Sequence, residues 1–538
     1  MPDVQVQISA IDIMVIVVYL VGIVSLGCWA GIRQRRRNST GKGYFLAGQT
    51  LTWPLIGLAL FSTNIQTAHL VGMAQEGYIS GMVFGNLEWL AAFLLIVLAL
   101  FFAPFYIRAR VATLPDFLEK RYNSRPCRDW MAMIGIMTAI FFHIGMALYS
   151  GAVLFRNLFG VNMTVSILVL SILTAIYTTI GGLLAVVLTE AIQALVMLSG
   201  SAMLVLMGLI RVGGWSEMTA NVDPVMMTVL RGSNDPSGMP WYAAFLGYPV
   251  LGLWYWCADQ TIVQRVLGAK DEHHARLGPL FCEFLKILPV FLFTLPGILL
   301  MAMENKGLFP PIGNSKDTYG FLVQNLLPTG LKGLMAAAML AAVMGAVSGA
   351  LNSTAVLFTY DVYKRLRPNV SDQMLTRIGR RATVAAMVLG ILWAPVVGMF
   401  PSIMRYVLAV VCHISPPITT VFVWGVFSKR VNSSGAVATL YLGSALCCVA
   451  FFLTSIPGAA IISIPPLMDC FYLFVVCSVI HVCVSMVRPQ KLTTEQAKLV
   501  WEHPFLAFTE GRLRGIGDYR LVAGVLTIVM VVLYTTFA

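Results

Sequence analysis

The sequence predicts an all-α polytopic membrane protein, and three observations carry that prediction. Of its 538 residues, 58% are hydrophobic and only 11% charged, with a mean hydropathy of +0.81, which is more apolar surface than a soluble core can bury. Apolar stretches of roughly 20 residues, the length that crosses a bilayer, recur along the whole chain. The basic residues collect in alternate connections between those stretches, the asymmetry that orients helices in a membrane.

About fourteen candidate spans of roughly 20 residues each begin near residues 11, 53, 80, 131, 163, 187, 241, 278, 333, 382, 402, 436, 466 and 520. Residues 33–42, 108–128, 265–276, 364–381, 429–430 and 488–520 hold 28 of the 36 Lys and Arg. These loops share one face if residues 163–211 contain two spans joined at TTIGGLL, and the basic face is the cytoplasmic one. The expectation is a multi-pass cell-membrane protein with both termini extracellular or periplasmic. No basic flank precedes the first span and no small-residue cleavage pattern follows it, so it reads as a retained anchor.

The organisation that follows is an extra N-terminal helix with a basic loop (1–50), two halves (51–240 and 241–430) and peripheral C-terminal helices (431–538). Residues 212–240 and 304–331, rich in Gly, Pro and acids, are expected to cap the outer mouth. TTEQAKLVWEHPFLAF, within 489–519, is expected to form an amphipathic surface helix.

Composition also excludes function classes. The net charge of +12 is dispersed among short loops, so it reports membrane orientation and no nucleic-acid partner. The ten cysteines form no CxxC pair and lie mostly in apolar runs, where they act as small hydrophobes. Absence of GxGxxG and GxxxxGK[ST] weighs against an ATP-driven pump. No Ser/His/Asp set, metal cluster or carboxylate pair has the spacing of a catalytic cavity, so neither an enzyme nor an organic cofactor is expected.

The informative stretch is FSTNIQTAHLVGMAQEGYISGMVFGNLEW, residues 61–89. Asn64, Gln66, Thr67 and His69 crowd into a short segment, and Glu88 follows on the next apolar run. Such groups are costly at membrane depth and face a cavity or a partner; the choices are a solute site or a polar seam between helices. The seventh span is interrupted too, by LGLWYWCADQTIVQR with Gly252, Trp254, Tyr255, Trp256, Asp259 and Gln260. Interrupted helices at corresponding positions of two halves mark inverted-repeat transporters, with the site between the breaks. Here that gives five-plus-five repeats over spans two to eleven, with span one and the last three peripheral.

At this point the chain resembles a known family, the solute:sodium symporters, in their sodium/glucose cotransporter branch. YFLAGQTLTWPLIGLAL (44–60), NIQTAHLVGMAQEGY (64–78), LPDFLEKRYN (114–123), IGGLLAVVLTEAIQ (180–193), QRVLGAK (264–270), LPGILLM (295–301), LNSTAVLFTYDVYK (351–364) and ISPP (414–417) carry the resemblance by their order and spacing. It implies a LeuT-like fold of ten core helices that works by alternating access. It further implies a substrate site at Asn64, His69, Glu88 and Lys286, with Tyr255 as aromatic gate. A sugar or polyol asks for acceptors such as Glu88, donors such as Lys286 and an aromatic face, although Glu88 and Lys286 can also neutralise one another. Gly252 and Leu408 stand where the sugar transporters present amide side chains, and Arg405 lies one turn before Leu408. Gln66, Trp254 and Gln260 are further candidates.

The resemblance also places a sodium site. Its backbone carbonyls correspond to Ser62, Ile65 and Ala342, and its two hydroxyls to Gly345 and Ala346, which have none. A hard cation wants oxygen ligands, so sodium is doubtful, and Ser348 substitutes only if the helix slips by a turn. Glu190, where the family usually has Asp, is either a proton carrier when desolvated or the partner of an arginine. The expected function is a sugar or polyol carrier, sodium-independent in preference. The alternatives are a sodium-coupled symporter with an altered site and a sensor that binds solute without carrying it.

Overall fold

The computed structural model describes residues 9–37, 41–66, 68–233, 235–399, 403–455, 464–509 and 515–538. Among them there is no strand; the single β-bridge joins Leu51 to Ala269. The helices that build the site are α1 (Ala10–Arg37), α2 (Trp53–Asn64), α3 (Met73–Ser80), α4 (Asn86–Val97), α5 (Met163–Val212), α6 (Trp241–Leu253), α7 (Gln260–Leu267), α8 (Glu272–Lys286), α9 (Leu295–Asn305), α10 (Leu331–Leu357), α11 (Ile403–Phe427) and α12 (Pro466–Val487).

Eleven described stretches are long and apolar enough to cross a membrane. The 50-residue α5 is one of them, and at that length it exceeds what a bilayer needs. Its direction changes at Gly182, whose φ of 63° and ψ of −162° leave the helical region within the expected TTIGGLL joint. Only glycine adopts that backbone readily.

The two broken helices lie where the sequence interrupts them. Pro54, in the first turn of α2, fits a position where no amide hydrogen bond is needed. The helix stops at Asn64 because Ile65 takes an extended conformation, and it resumes through a π-helical turn, Ala68–Gly72, into α3. In the second half a π-helical turn at Trp254–Ala258 ends at Asp259, also extended. The Asp259 side chain then accepts from Thr261 N at 2.7 Å and caps α7.

α10 is central: 94% of its most apolar window is buried, against 22% for α1 and for α12. The equivalent windows of Ser433–Thr454 and Tyr519–Thr536 are each 28% buried, so these four are the least enclosed of the described spans. Asp12 of α1 ties this periphery to the centre, accepting from Gly330 N and Gly333 N at 2.7 Å each and so capping the start of α10.

The segments at 212–240 and 304–331 form short helices, including Trp215–Ala220 and Thr318–Leu326. The expected surface helix within 489–519 is not one helix. The chain makes two single turns, Thr494–Ala497 and Leu506–Thr509. Pro504 precedes the second, and Trp501 between them is buried, its Nε1 donating to Phe101 O at 3.1 Å.

α3 and α9 meet backbone to backbone, since a Cβ on Gly297 would collide with Ala74 O and Tyr78 N. Small residues permit such approaches between membrane helices. Gly297→Ala must therefore separate the two helices and is expected to lower stability by about 1–3 kcal/mol, read as a lower thermal midpoint of purified protein. An unchanged midpoint would contradict this packing.

Candidate functional site

Both breaks open toward one polar network. Asn64, the last residue of α2, donates from Nδ2 to Tyr255 Oη at 3.2 Å, so the two interrupted helices are joined directly. Asn64 Oδ1 accepts from Lys286 Nζ of α8 at 2.6 Å. The same ammonium donates to Glu88 of α4 and lies 5.5 Å from the Trp256 ring centroid, within cation–π range. Glu88 Oε1 is 3.6 Å from His69 Nε2, beyond a good hydrogen bond. His69 Nδ1 accepts from Gln66 N at 3.1 Å, so a neutral ring carries its proton on Nε2, toward Glu88. The five residues expected at the site are therefore brought together from both breaks, α4 and α8. Lys286 and Glu88, both nearly fully buried, neutralise one another.

Other candidates are placed elsewhere. Gln260 is buried with Oε1 accepting from Leu114 N at 2.9 Å, which commits it to the start of a neighbouring helix. Trp254 is buried against Phe142, with ring centroids 6.3 Å apart, and against Tyr255 at 6.0 Å. Gly252 leaves no gap for a missing amide, because a Cβ there would collide with Leu94 Cδ1. Leu408 packs on an apolar cluster of Ala243, Val250 and Cys412 with Leu467 of α12, so it leaves no unfilled polar position either. Gln66 is buried beside the network with Oε1 unpartnered. Thr67 and the side chain of Arg405 lie outside the described residues.

The positions linked to an ion form a second locus on α2, α5 and α10. Ile65 and Ala342 are fully buried, and Gly345 and Ala346 present no side-chain oxygen. A Cβ on Gly345 would lie 2.9 Å from Ser62 Oγ and 3.0 Å from Gln193 Oε1, so these two side chains close directly on the helix. Ser62 Oγ and both amide atoms of Gln193 are buried and unpartnered. Ser348 Oγ donates to Gly345 O at 3.0 Å and so turns back onto its own helix. Two neutral side-chain oxygens, Ser62 Oγ and Gln193 Oε1, thus face the helix where the resemblance places two hydroxyls.

Glu190 is not a free carboxylate. Arg265 of α7 donates from Nε to its Oε2 at 3.2 Å and from Nη2 to its Oε1 at 2.5 Å, and Thr63 Oγ1 adds a bond of 3.0 Å. Both charged side chains are fully buried. Of the two expectations for this residue, the pairing with an arginine is the arrangement observed. Reasoning from sequence missed Arg265, although Thr261, Gln264 and Arg265 on an otherwise apolar helix were the signal. It also missed the buried pair of His143 Nε2 and Asp259 Oδ2 at 2.6 Å. No cluster of three or more metal-ligating His, Cys, Asp or Glu occurs among the described residues.

The profile of the sodium:solute symporter family matches residues 44–443. Sodium/glucose cotransporter 1 of Mus musculus is 34% identical over 470 residues, covering 81% of this chain and 70% of that protein. Sodium/glucose cotransporter 4 of Homo sapiens is 35% identical over 474 residues, covering 82% and 69%. Among solved structures, a Na+-coupled sialic acid symporter in a substrate-bound outward-open state aligns with a TM-score of 0.79 at 21% identity, over 90% of this chain and 100% of that one. Mhp1, a nucleobase-cation-symport-1 family transporter, aligns with a TM-score of 0.53 at 14% identity, over 85% and 97%. At such identities the two structures speak to the fold alone, and they place the broken-helix core in the LeuT-like class. With its profile matched over most of the length and relatives above 30% identity across four fifths of it, the chain belongs to the sodium:solute symporter family.

Proposed function

We propose that this protein carries a sugar or a related polyol across the cell membrane by alternating access, and that it does so without sodium. The observation that carries the first half is the network of Asn64, Tyr255, Lys286, Glu88 and His69 at the junction of both breaks. It offers amide, phenol, imidazole and carboxylate groups but no net charge, which suits a neutral solute rich in hydroxyls. The names of the curated relatives, sodium/glucose cotransporters, support the same solute class. A hydroxyl lying beside His69 Nε2 and Glu88 Oε1, which are 3.6 Å apart, accepts from one and donates to the other. The Asn64–Tyr255 bond, which spans the two breaks, is the contact that solute must rearrange to pass.

The second half rests on Gly345 and Ala346, which lack side-chain oxygens, on the close contact at Gly345, and on a Glu190 already bound to Arg265. The basic loops support a cytoplasmic side at residues 33–42 and 108–128, with both termini outside. One observation favours a sodium-coupled carrier with an altered site: Ser62 Oγ and Gln193 Oε1 are unpartnered oxygens facing the same locus.

Purified protein in choline chloride, screened against monosaccharides and polyols, is expected to be stabilised by at least one of them. Ligand at about 100 times its Kd adds roughly 2.7 kcal/mol, a plain rise in thermal midpoint. No stabilisation by any member of the panel would remove the sugar reading. For the sugar that stabilises most, Glu88→Gln is expected to weaken binding by about 1.5–3 kcal/mol, the worth of a charge-assisted hydrogen bond. The double variant Glu88→Gln with Lys286→Gln, which leaves no unpaired charge, should remain weak. Wild-type affinity in the double variant would take both residues out of the solute site.

A further inference from the structure

Glu283 of α8 is a carboxyl that the network around Asn64 does not use. It is 0% exposed, and neither Oε1 nor Oε2 has a hydrogen-bond partner. It stands three residues before Lys286 on the same helix, outside the segments that carry the family resemblance. Residues three apart on a helix are neighbours, and a glutamate on the N-terminal side of a lysine is well placed to pair with it. Lys286 is turned instead toward α2 and α4, where it donates to Asn64 Oδ1 at 2.6 Å and to Glu88. The ammonium thus has two carboxyls to choose from and holds one of them.

The elements packed most closely on α8 offer Glu283 no other charge. α2 and the turn Leu98–Phe102 carry no titratable group, and on α4 the one acid is Glu88. In Ala103–Arg108, Tyr106 donates to Cys257 O at 2.5 Å and Arg108 is bonded to Glu272. Arg265 of α7 is bonded to Glu190. In the last helix, Tyr519–Thr536, the Tyr519 ring lies under Arg276, Arg520 is bonded to Asp518, and Tyr534 donates to Asn86. On α8 itself, Arg276 is bonded to Glu272 and His274 Nδ1 accepts from Trp53 N; His273 beside it lies more than two turns from Glu283.

A carboxylate without a partner is costly at membrane depth, whereas the neutral acid is a small polar group. One ammonium and two carboxyls are together neutral only with one further proton, and that proton belongs on whichever carboxyl the ammonium does not hold. We propose that Glu283 is the second acceptor for Lys286, a positioning residue that stays a neutral acid while Glu88 holds the ammonium and takes the ammonium when the rearrangement that passes the solute draws Glu88 away from α8. The inference rests on the reading of Glu88 and Lys286 as the solute site and deepens it. In the exchange the O–H bond of Glu283 breaks, its proton passes through water of the solute path to the Glu88 carboxylate, and the ammonium moves to the Glu283 carboxylate left behind. The net charge is zero before and after, so Lys286 has a counter-charge in both arrangements.

The test uses no solute, so its failure and that of the sugar reading are distinct. Wild type, Glu88→Gln, Glu283→Gln and the double variant are purified in choline chloride at neutral pH and treated with dicyclohexylcarbodiimide, which couples to protonated carboxyls in apolar surroundings. Labelled peptides are then quantified by mass spectrometry. Glu283 is expected to be labelled in wild type, and Glu88→Gln is expected to cut that labelling about fivefold or more, because the freed ammonium draws Glu283 into its ionised form. Thermal midpoints give a second reading. Glu283→Gln is expected to cost roughly 3 °C more in the Glu88→Gln background than in wild type, since only there does Glu283 hold the lysine. A double variant that does not fold where both single variants do counts as that excess. An unlabelled Glu283 in wild type, unchanged labelling in Glu88→Gln, or midpoint losses that simply add would mark a carboxyl that merely packs and would overturn the inference. So would a Glu88→Gln variant that does not fold, because Lys286 then finds no second partner. A panel with no stabilising sugar would remove the sugar reading and leave these results standing.

Discussion

The structure depends on two pairs of opposite charges held at membrane depth. Lys286 and Glu88 sit on different helices and are nearly fully buried, and Lys286 also donates to Asn64 at the end of the first broken helix. Removing either from water is costly, and their attraction offsets that cost only while the geometry holds. The pair therefore fixes how α4, α8 and the break at Asn64 stand relative to one another. Through the bond from Asn64 to Tyr255, it fixes the second break as well. Arg265 and Glu190 do the same for α5 and α7 at the ion locus. Two neutralised pairs, one per locus, thus hold the helices around both breaks.

On the sodium-free reading proposed above, two tasks that a coupled carrier joins are separate. Solute recognition is assigned to the network around Asn64, whose groups are uncharged or mutually neutral. The join between α2, α5 and α10, where the resemblance places an ion, is made by the chain's own groups. Such a carrier would equilibrate its solute and draw no work from a sodium gradient, so its direction would follow the solute alone. The glycines are what make this possible: Gly345 lets Ser62 and Gln193 close on α10, and Gly349 lets Arg265 in.

Much of this was legible in the sequence because the bilayer constrains it so strongly. Polar residues interrupting apolar runs had few explanations, so Asn64, His69, Glu88 and Tyr255 could be grouped before any fold was known. The break at Gly182 lay within the two glycines of TTIGGLL, where two spans had to be joined to keep the basic loops on one side. What was not legible depended on which way a side chain turns. Gly252 and Leu408 look like lost contacts in one dimension, yet Leu94 and an apolar cluster fill their surroundings. Glu190 could be read as a free acid until Arg265, 75 residues away, was brought to it. The surface helix failed because amphipathic spacing is silent about Pro504 and about where Trp501 finds its hydrogen bond.

The central claim is tested most directly by initial uptake into proteoliposomes, using a radiolabelled form of the sugar that stabilises the purified protein. Rates are compared under an inward sodium gradient and under choline chloride of the same ionic strength. Equal rates, with accumulation that stops at equilibrium with the outside, are what this account predicts. A rate that rises steeply with the sodium gradient, or accumulation above equilibrium driven by it, would contradict the account and show that an ion still reaches the locus beside Gly345.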